Sequence, residues 1–314
     1  MTDATAPSRL RAALVTCAEL PDLDPDDVPL VAALADRRVA ATPAVWDDPG
    51  VDWASYDLVV VRSAWDYAPR RDEFVAWARS VPNLLNPADV IAWNTDKAYL
   101  HELAERGVPT IPTVWLDPER NLGARAVHTR MPAHGDFVIK PTVSAGAQGT
   151  GRYESGDATE RGLGIRHALD LLAQGRHVMI QPYQQAVDTV GETGLIFVDG
   201  RFSHAIAKRA LLSGPYEAGD ASLYVREQLE RAVATPEQIA VAEKTLAAAA
   251  EVLPSAAKPL YARVDLVPDA VGAPQLIELE LTEPSLFLGF DGDALDRFAD
   301  AIALRALRAR VSLV

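Results

Sequence analysis

Apolar runs and helical stripes alternate along the first hundred residues. Residues 10–17 (LRAALVTC) and 57–63 (DLVVVRS) are continuous apolar runs, which are typical of strands that are buried on both faces. Between them, residues 28–34 repeat apolar side chains at the spacing of a helix. The alternation predicts an α/β domain with a doubly wound parallel sheet, in which ligands bind at the carboxyl ends of the strands.

The end of the second predicted strand is polar. Arg62 and Ser63 close it, and a planar guanidinium can hold a substrate carboxylate through two hydrogen bonds. We therefore expect both residues to contact the substrate. For the neighbouring Trp65 and Tyr67 we expect packing, since aromatic side chains are core residues first. The segment after the first strand, AELPDLDPDD, lacks the G-x-G-x-x-G fingerprint, which argues against a dinucleotide-dependent dehydrogenase.

The rest of the chain predicts two further units of mixed helix and strand. Asn94 or Thr95 is placed to cap a helix that Gly107 closes, so we place a domain boundary near residue 94. The Asp199-Gly200 pair predicts the turn of a β-hairpin. The predicted domains are residues 1–94, 95–183 and 184–314.

Lys140 lies in the apolar segment FVIKP, directly before a loop that contains Gly146, Gly149 and Gly151. A buried, unpaired ammonium group is costly, so this lysine needs a carboxylate or an anionic ligand as a partner. Glycines let backbone N–H groups approach an anion closely. Two interpretations of this stretch stay open: a phosphate-binding loop, or an exposed lysine beside a surface loop.

Two segments near the C-terminus carry alternating charges. Arg263 and Asp265 share one face of the first predicted strand, and Glu278 and Glu280 share one face of the second. If the strands pair, three carboxylates and one arginine converge, and like charges directly opposite each other cost up to about 1 kcal/mol per pair. A divalent cation removes that cost, and oxygen ligands without His or Cys favour Mg²⁺. The alternative is the exposed charged face of an edge hairpin.

Composition narrows the class of protein. The 314 residues are 49% hydrophobic and 24% charged, which is a globular composition long enough for two or three packed units. The net charge of -14 argues against nucleic-acid and anionic membrane partners. A single cysteine, Cys17, excludes an internal disulfide and a Cys-based zinc site, and we expect it in the core. The N-terminus has no apolar signal core and no apolar stretch is long enough for a membrane span, so we expect a cytoplasmic protein.

These segments, in this order, resemble the ATP-grasp ligases, the superfamily of D-alanine:D-alanine ligase and bacterial glutathione synthetase. NTDK and FVIKP resemble the segments that supply the nucleotide-binding lysines, SAGAQGTGR resembles the glycine-rich lid, and MIQPY resembles the hinge strand that holds adenine. RVD and ELE resemble the metal-binding strands. The resemblance implies the ATP-grasp fold, in which two α+β subdomains after the N-terminal domain clasp ATP. It also implies Mg²⁺ as the cation, with Mn²⁺ as a substitute.

The resemblance also implies roles for individual residues. The expected ATP ligands are Lys97, Lys140, Ser144, Ala145, Gly146, Gly149, Gln181, Pro182, Tyr183 and Glu192. The expected metal ligands are Asp265, Glu278 and Glu280, and the expected catalytic residues are Arg263, Lys208 and Arg209. For Lys208 and Arg209 a role as solvated charges at a strand end stays open. Glu280 stands where the family usually has Asn, which adds a negative charge to the site.

The segments VRSAWDY, NPADVIAWNTDK, FSHAIAKR and ELELTEPSLF are similar to those of the D-cycloserine synthetase group. The similarity implies an ATP-dependent ligase that converts the carboxylate of a small, amino-acid-like substrate to an acyl phosphate. A nitrogen of the same substrate then closes the ring, as from O-ureido-D-serine to D-cycloserine. Two alternatives stay open: a ligase that joins a carboxylate to a separate amine, and a nucleotide-binding protein without activity. A homo-oligomer, either a dimer or a tetramer, is also left open.

Overall fold

The computed structural model describes residues 9–209, 212, 214–216 and 228–312. These residues form three β-sheets with helices packed around them. Within the described part of the chain, no helix is both long and apolar enough to cross a membrane.

The N-terminal unit is an α/β layer structure. Its elements are β1 (Leu10–Thr16), α1 (Val28–Asp36), β2 (Val39–Val45), β3 (Leu58–Ser63), α2 (Arg71–Ser80), β4 (Leu84–Leu85) and α3 (Ala88–Asn94). The strands pair in parallel in the order β2-β1-β3-β4, which confirms the predicted parallel sheet. Leu14 of β1 packs in one apolar cluster with Leu34 of α1, whereas Val15 packs in another with Phe74 of α2. Helices therefore cover both faces of the sheet, as the continuous apolar runs predict.

The helix expected to begin at Asn94 or Thr95 begins instead at Tyr99, after a separate helix that ends at Asn94. Asn94 is the last residue of α3 and Thr95 is its C-cap, so neither residue caps the start of the next helix. The reason is tertiary: the Asn94 amide donates to the Leu279 carbonyl at 2.8 Å and its oxygen accepts from the Leu281 N–H at 2.6 Å. A side chain that satisfies two backbone groups of another strand is unavailable for capping.

The second unit is an antiparallel sheet with one long helix. It contains α4 (Tyr99–Glu105), β5 (Val114–Leu116), α5 (Ala124–His128), β6 (Asp136–Pro141), β7 (Gly151–Glu154), α6 (Ala158–Ala173) and β8 (Val178–Pro182). The strand order is β5-β8-β6-β7, and Lys140 lies near the end of β6. The glycine-containing loop therefore connects two antiparallel neighbours, β6 and β7.

The third unit is a larger antiparallel sheet. It contains α7 (Val187–Val190), β9 (Glu192–Val198), β10 (Arg201–Lys208), β11 (Leu229–Ala232), α8 (Pro236–Val252), β12 (Tyr261–Pro268), β13 (Pro274–Glu280) and α9 (Ala294–Ser312). The strand order is β11-β10-β9-β12-β13. Asp199 and Gly200 have φ angles of 49° and 75° and join β9 to β10, which confirms the predicted hairpin.

The last helix returns to the first unit. Phe298 and Ile302 of α9 share an apolar cluster with Leu14 of β1 and Leu30 of α1. Arg37, which follows the last residue of α1, pairs with Asp296 and Asp300 of α9. The predicted third domain, residues 184–314, includes α9, although this helix packs on the N-terminal sheet. The predicted domain limits stay a prediction.

Candidate active site

One cavity lies where the three units meet. It is lined by Trp65 from the N-terminal unit, by Lys140 from the second unit, and by Glu278 from the third. The carboxyl end of β3 opens toward it, as expected for a parallel sheet.

Lys140 is buried in the wall of this cavity, with 8% of its surface exposed. Among the described residues, no side chain or carbonyl accepts a hydrogen bond from its ammonium group or forms an ion pair with it. Burial lowers the pKa of Lys140 to about 8; Glu278 opposes this shift, and the positive charge of Lys97 adds to it. The lysine therefore presents an incompletely neutralised positive charge to the cavity.

Lys97 lies on the same wall but is already engaged. Its ammonium group donates to the Ser144 carbonyl at 2.7 Å and to the Ser144 hydroxyl at 3.3 Å. It also pairs with a Glu278 oxygen at 3.1 Å. The Lys97 N–H donates to the Thr142 carbonyl at 2.9 Å, so this residue ties the glycine-containing loop to α4 and β13.

The glycine-containing loop presents three of its four predicted ligands to the cavity. Ser144, Ala145 and Gly146 line the cavity, whereas Gly149 does not. Gly149 has a φ of 71°, and a Cβ atom there would meet the ring of Pro141 at 3.3 Å. Its glycine is thus explained by backbone conformation and packing.

The predicted hinge residues form another part of the cavity wall. Gln181, Pro182 and Tyr183 all line the cavity at the end of β8. Glu192, the first residue of β9, also lines it and pairs with Lys208 at 3.2 Å. The structure therefore brings the hinge and the predicted ribose-binding carboxylate to the same cavity.

Strands β12 and β13 pair antiparallel, with Arg263 opposite Glu280 and Asp265 opposite Glu278. The predicted convergence of charges is confirmed. Arg263 Nε donates to Asp265 Oδ1 at 2.9 Å, and the same guanidinium pairs with Glu280. Lys208 Nζ lies 2.8 Å from Asp265 Oδ2. Cationic side chains thus compensate much of the carboxylate repulsion.

The three carboxylates differ in how accessible they are to a metal ion in the cavity. Asp265 is 1% exposed and both its oxygens accept from Arg263 or Lys208, so its geometry does not support the predicted metal contact. The side chains of Glu278 and Glu280 are 28% and 25% exposed and line the cavity. Within the described residues, no three His, Cys, Asp or Glu side chains are arranged to hold an ion. The two glutamates fit Mg²⁺, which usually takes one or two carboxylates with phosphate and water.

The two glutamates have opposite pKa shifts. Burial raises the pKa of Glu278, but Lys97 and Lys140 outweigh it and hold that pKa below its ordinary value. Burial raises the pKa of Glu280 to about 8 in spite of Arg263, and the negative charge of Glu278 adds to the increase. A cation shared by both carboxylates would favour their ionised forms.

Two predicted residues, Arg62 and Ser63, do not line the cavity, and a third, Arg209, lines it but has its guanidinium engaged elsewhere. Arg62 is 1% exposed and pairs with Asp27 at 3.1 Å, so its guanidinium is not available to a substrate. Ser63 is also fully buried, and neither residue lines the cavity. Arg209 lies at the cavity edge, but its guanidinium pairs with exposed Glu230 at 2.9 Å.

Other residues line the cavity without having been predicted. Trp65 and Tyr67 are buried, as expected for packing, and they also form part of the wall. Trp65 Nε1 donates to the Glu283 carbonyl at 3.0 Å, and the Tyr67 hydroxyl lies beside the Glu283 carboxylate, whose pKa it lowers. Glu283 lies beyond the end of β13, where the two-residue period of a strand gives no information on direction.

The chain is similar to D-cycloserine synthetase in both sequence and structure. Residues 12–86 match the family model of the N-terminal domain of D-cycloserine synthetase DcsG. The chain is 39% identical to the cycloserine biosynthesis protein DcsG of Streptomyces lavendulae, over 93% of this chain and 98% of that protein. The crystal structure of D-cycloserine synthetase DcsG superposes with a TM-score of 0.83 at 38% identity, over 94% of this chain and 99% of that one.

The fold is shared more widely. D-alanine–D-alanine ligase from Bacillus anthracis, in its complex with ATP, superposes with a TM-score of 0.62 at 15% identity. That match covers 97% of this chain and 100% of the ligase chain. The three sheets described above therefore form the ATP-grasp fold, as the sequence motifs imply.

Proposed function

Because the chain belongs to the D-cycloserine synthetase family of ATP-dependent ligases, we propose that it closes O-ureido-D-serine to D-cycloserine. The observation that supports nucleotide-driven chemistry most directly is Lys140, a buried ammonium group that faces the cavity beside Glu278. An unpaired buried cation is costly unless an anion meets it, and a triphosphate is such an anion.

ATP would lie along the cavity from the hinge to the charged strands. Gln181, Pro182 and Tyr183 border the end where adenine would bind, and Glu192 would accept from the ribose hydroxyls. At the other end Lys140 would contact the phosphates. Lys97 would help to enclose the phosphates. The loop residues Ser144, Ala145 and Gly146 would do the same, the last through backbone N–H groups around it.

Glu278 and Glu280 are the proposed ligands of Mg²⁺, and Mn²⁺ is expected to substitute for it because it accepts the same oxygen ligands. The bound cation would neutralise charge on the phosphates. Asp265 has a different proposed role: it holds Arg263 and Lys208 in place through the contacts described above. Arg263 would then stabilise negative charge on the transferred phosphoryl group.

The proposed reaction has three steps: phosphorylation of the carboxylate, ring closure and removal of the carbamoyl group. A carboxylate oxygen of O-ureido-D-serine attacks the γ-phosphorus of ATP, which gives an acyl phosphate and ADP. The nitrogen bonded to the side-chain oxygen attacks the acyl carbon, loses its proton and expels phosphate. Removal of the carbamoyl group from that nitrogen consumes one water and gives carbamate, which decomposes to CO₂ and NH₃. Because the nucleophile belongs to the same molecule, ring closure has the proximity that a two-substrate ligase must obtain from binding contacts.

An ADP-release assay tests this proposal. The enzyme is incubated with ATP, Mg²⁺ and O-ureido-D-serine or other amino acids, each with and without an added amine. We expect ADP and NH₃ with O-ureido-D-serine alone. ADP formation only when a carboxylate and a separate amine are both present would favour the two-substrate ligase instead. No ADP with any carboxylate would favour a nucleotide-binding protein without ligase activity.

A further inference from the structure

The cavity has a region that none of the proposed ATP or metal contacts uses. Trp65 and Tyr67, which follow β3, form it together with Glu283 from the segment after β13. It therefore lies between the N-terminal unit and the charged strands, next to the position proposed for the phosphates.

Glu283 differs from the other acidic side chains that line the cavity. Glu192 pairs with Lys208, Glu278 with Lys97, and Glu280 with Arg263. For Glu283 the described residues provide no lysine, arginine or histidine within ion-pair distance; the hydroxyl of Tyr67 lies beside its carboxylate and lowers its pKa. Burial raises its pKa to about 7, which indicates a carboxylate that a cationic ligand would stabilise in its charged form.

The segment that carries this carboxylate is fixed from three sides. Trp65 Nε1 donates to the Glu283 carbonyl at 3.0 Å, and Arg62 Nη2 donates to the Pro284 carbonyl at 2.9 Å. Arg263 Nη1 donates to the Ser285 carbonyl at 3.0 Å. The buried guanidinium of Arg62 thus holds the backbone next to the cavity, although it does not face the cavity itself. A carboxylate on such a braced segment is pre-organised for a ligand.

The position of the carboxylate suits one part of an α-amino acid. Glu283 is close enough to the phosphate end for Lys97, Glu278 and Arg263 to affect its pKa. In an α-amino acid the ammonium group is bonded to the carbon next to the carboxylate. If the carboxylate is phosphorylated at this end, the ammonium group must lie here too, among lysines and arginines that repel it. Glu283 is the cavity carboxylate that forms no ion pair with a cation among the described residues.

We infer that Glu283, oriented by Tyr67, binds the α-ammonium group of the substrate and selects α-amino acids over their des-amino analogues. This inference rests on the proposed function, because it places the substrate carboxylate at the phosphate end. It assigns the N-terminal unit a part in substrate recognition through Tyr67 and Trp65.

The test compares two substrates in the same assay: O-ureido-D-serine and its des-amino analogue 3-(ureidooxy)propanoate, which retains the carboxylate and the ring-closing nitrogen. In Glu283→Gln, kcat/KM for O-ureido-D-serine should fall about 10- to 100-fold through KM, as for the loss of a charged hydrogen bond. The value for the des-amino analogue should change less than about twofold, so the preference for the amino compound collapses. Tyr67→Phe should show the same pattern with a smaller loss, because it removes only the hydroxyl.

Glu243→Gln is the matched control, because Glu243 is exposed on α8 and has no hydrogen bond or ion pair among the described residues. Unchanged ATP affinity in each variant, measured by calorimetry, shows that the cavity has kept its structure. Equal losses for both substrates, or no loss in Glu283→Gln and Tyr67→Phe, would overturn the inference. If the unmodified enzyme turns over another α-amino acid instead, the proposed substrate is wrong, and the same pair of amino and des-amino compounds is tested in that series. Turnover of only des-amino carboxylates overturns the inference as well.

Discussion

Two buried arginines, Arg62 and Arg263, show what separates a structural ion pair from a functional one. Arg62 pairs with Asp27, lies over the rings of Tyr261 and Phe298 at 5.2 and 5.3 Å, and has no exposed side-chain surface. Arg263 pairs with Asp265 and also lines the cavity. Buried charge alone therefore does not identify a site; access of the charged group to a cavity does.

The comparison predicts that replacing Arg62 costs more stability than replacing Arg263. Arg62→Met should lower the free energy of unfolding by about 3 to 5 kcal/mol, because it leaves buried Asp27 without its cation. Arg263→Met should cost less stability, because Lys208 still pairs with Asp265. Urea unfolding of both variants checks this order, and a larger loss of stability in Arg263→Met would contradict it.

The loss of stability in Arg62→Met should depend on pH, because Asp27 titrates. Burial raises the pKa of Asp27 to about 6 in spite of Arg62, and removal of the arginine raises that pKa further. Asp27 in the variant is then protonated at pH 5 and its uncompensated charge disappears. The destabilisation should be smaller at pH 5 than at pH 8, relative to the unmodified protein at each pH.

Glu278→Gln tests the functional role of the charged residues that line the cavity together with Arg263. We expect ADP release to fall by about 10²- to 10³-fold, because a neutral amide cannot supply the charge that the proposed Mg²⁺ site needs. The fold should persist, since the side chain is 28% exposed and faces the cavity. Glu243→Gln provides the control, and turnover like that of the unmodified enzyme in folded Glu278→Gln would remove the metal assignment.

Lys140→Ala should weaken ATP binding by about 1.5 to 3 kcal/mol, the range for a hydrogen bond to a charged group. Calorimetry measures the dissociation constant directly. Lys244→Ala is the control, because Lys244 is exposed on α8, away from the cavity lining. An unchanged affinity in Lys140→Ala would show that the lysine does not meet the phosphates.

A smaller effect should follow from the titration of Lys140. Its pKa of about 8 means that the free enzyme loses this positive charge as the pH rises from 7 to 9.5. The dissociation constant for ATP should therefore rise about 10- to 25-fold over that range, because the neutral amine contacts the phosphates more weakly than the protonated form does. Lys140→Arg keeps its charge throughout. An equally steep rise in Lys140→Arg would assign the dependence to other groups, such as Glu280.

Much of the fold follows from local patterns in the sequence. Continuous apolar runs predict β1 and β3 as buried parallel strands, and the Asp199-Gly200 turn predicts the β9–β10 hairpin. The two-residue period places Arg263 and Asp265 on one face, and pairing of β12 with β13 brings Glu278 opposite Asp265. These features depend on short-range periodicity, which a sequence displays directly.

The remaining features depend on contacts between distant segments. Arg62 ends a strand at the edge where ligands bind, but its direction is set by Asp27 and by the carbonyl of Pro284. Glu283 follows the last strand residue, so no period predicts where its side chain points. Asn94 has the residue type of a cap but is occupied by β13. Each of these outcomes is decided by a partner that lies far away in the sequence.

The central claim is that the substrate carboxylate is activated by ATP and then attacked by a nitrogen of the same molecule. O-Ureido-D-serine labelled with ¹⁸O in its carboxylate tests it, with mass spectrometry of the phosphate released during D-cycloserine formation. The acyl phosphate route predicts one ¹⁸O atom in each phosphate, because the oxygen that attacks the γ-phosphorus leaves with it when the ring closes. Formation of D-cycloserine and ADP with unlabelled phosphate would contradict the account.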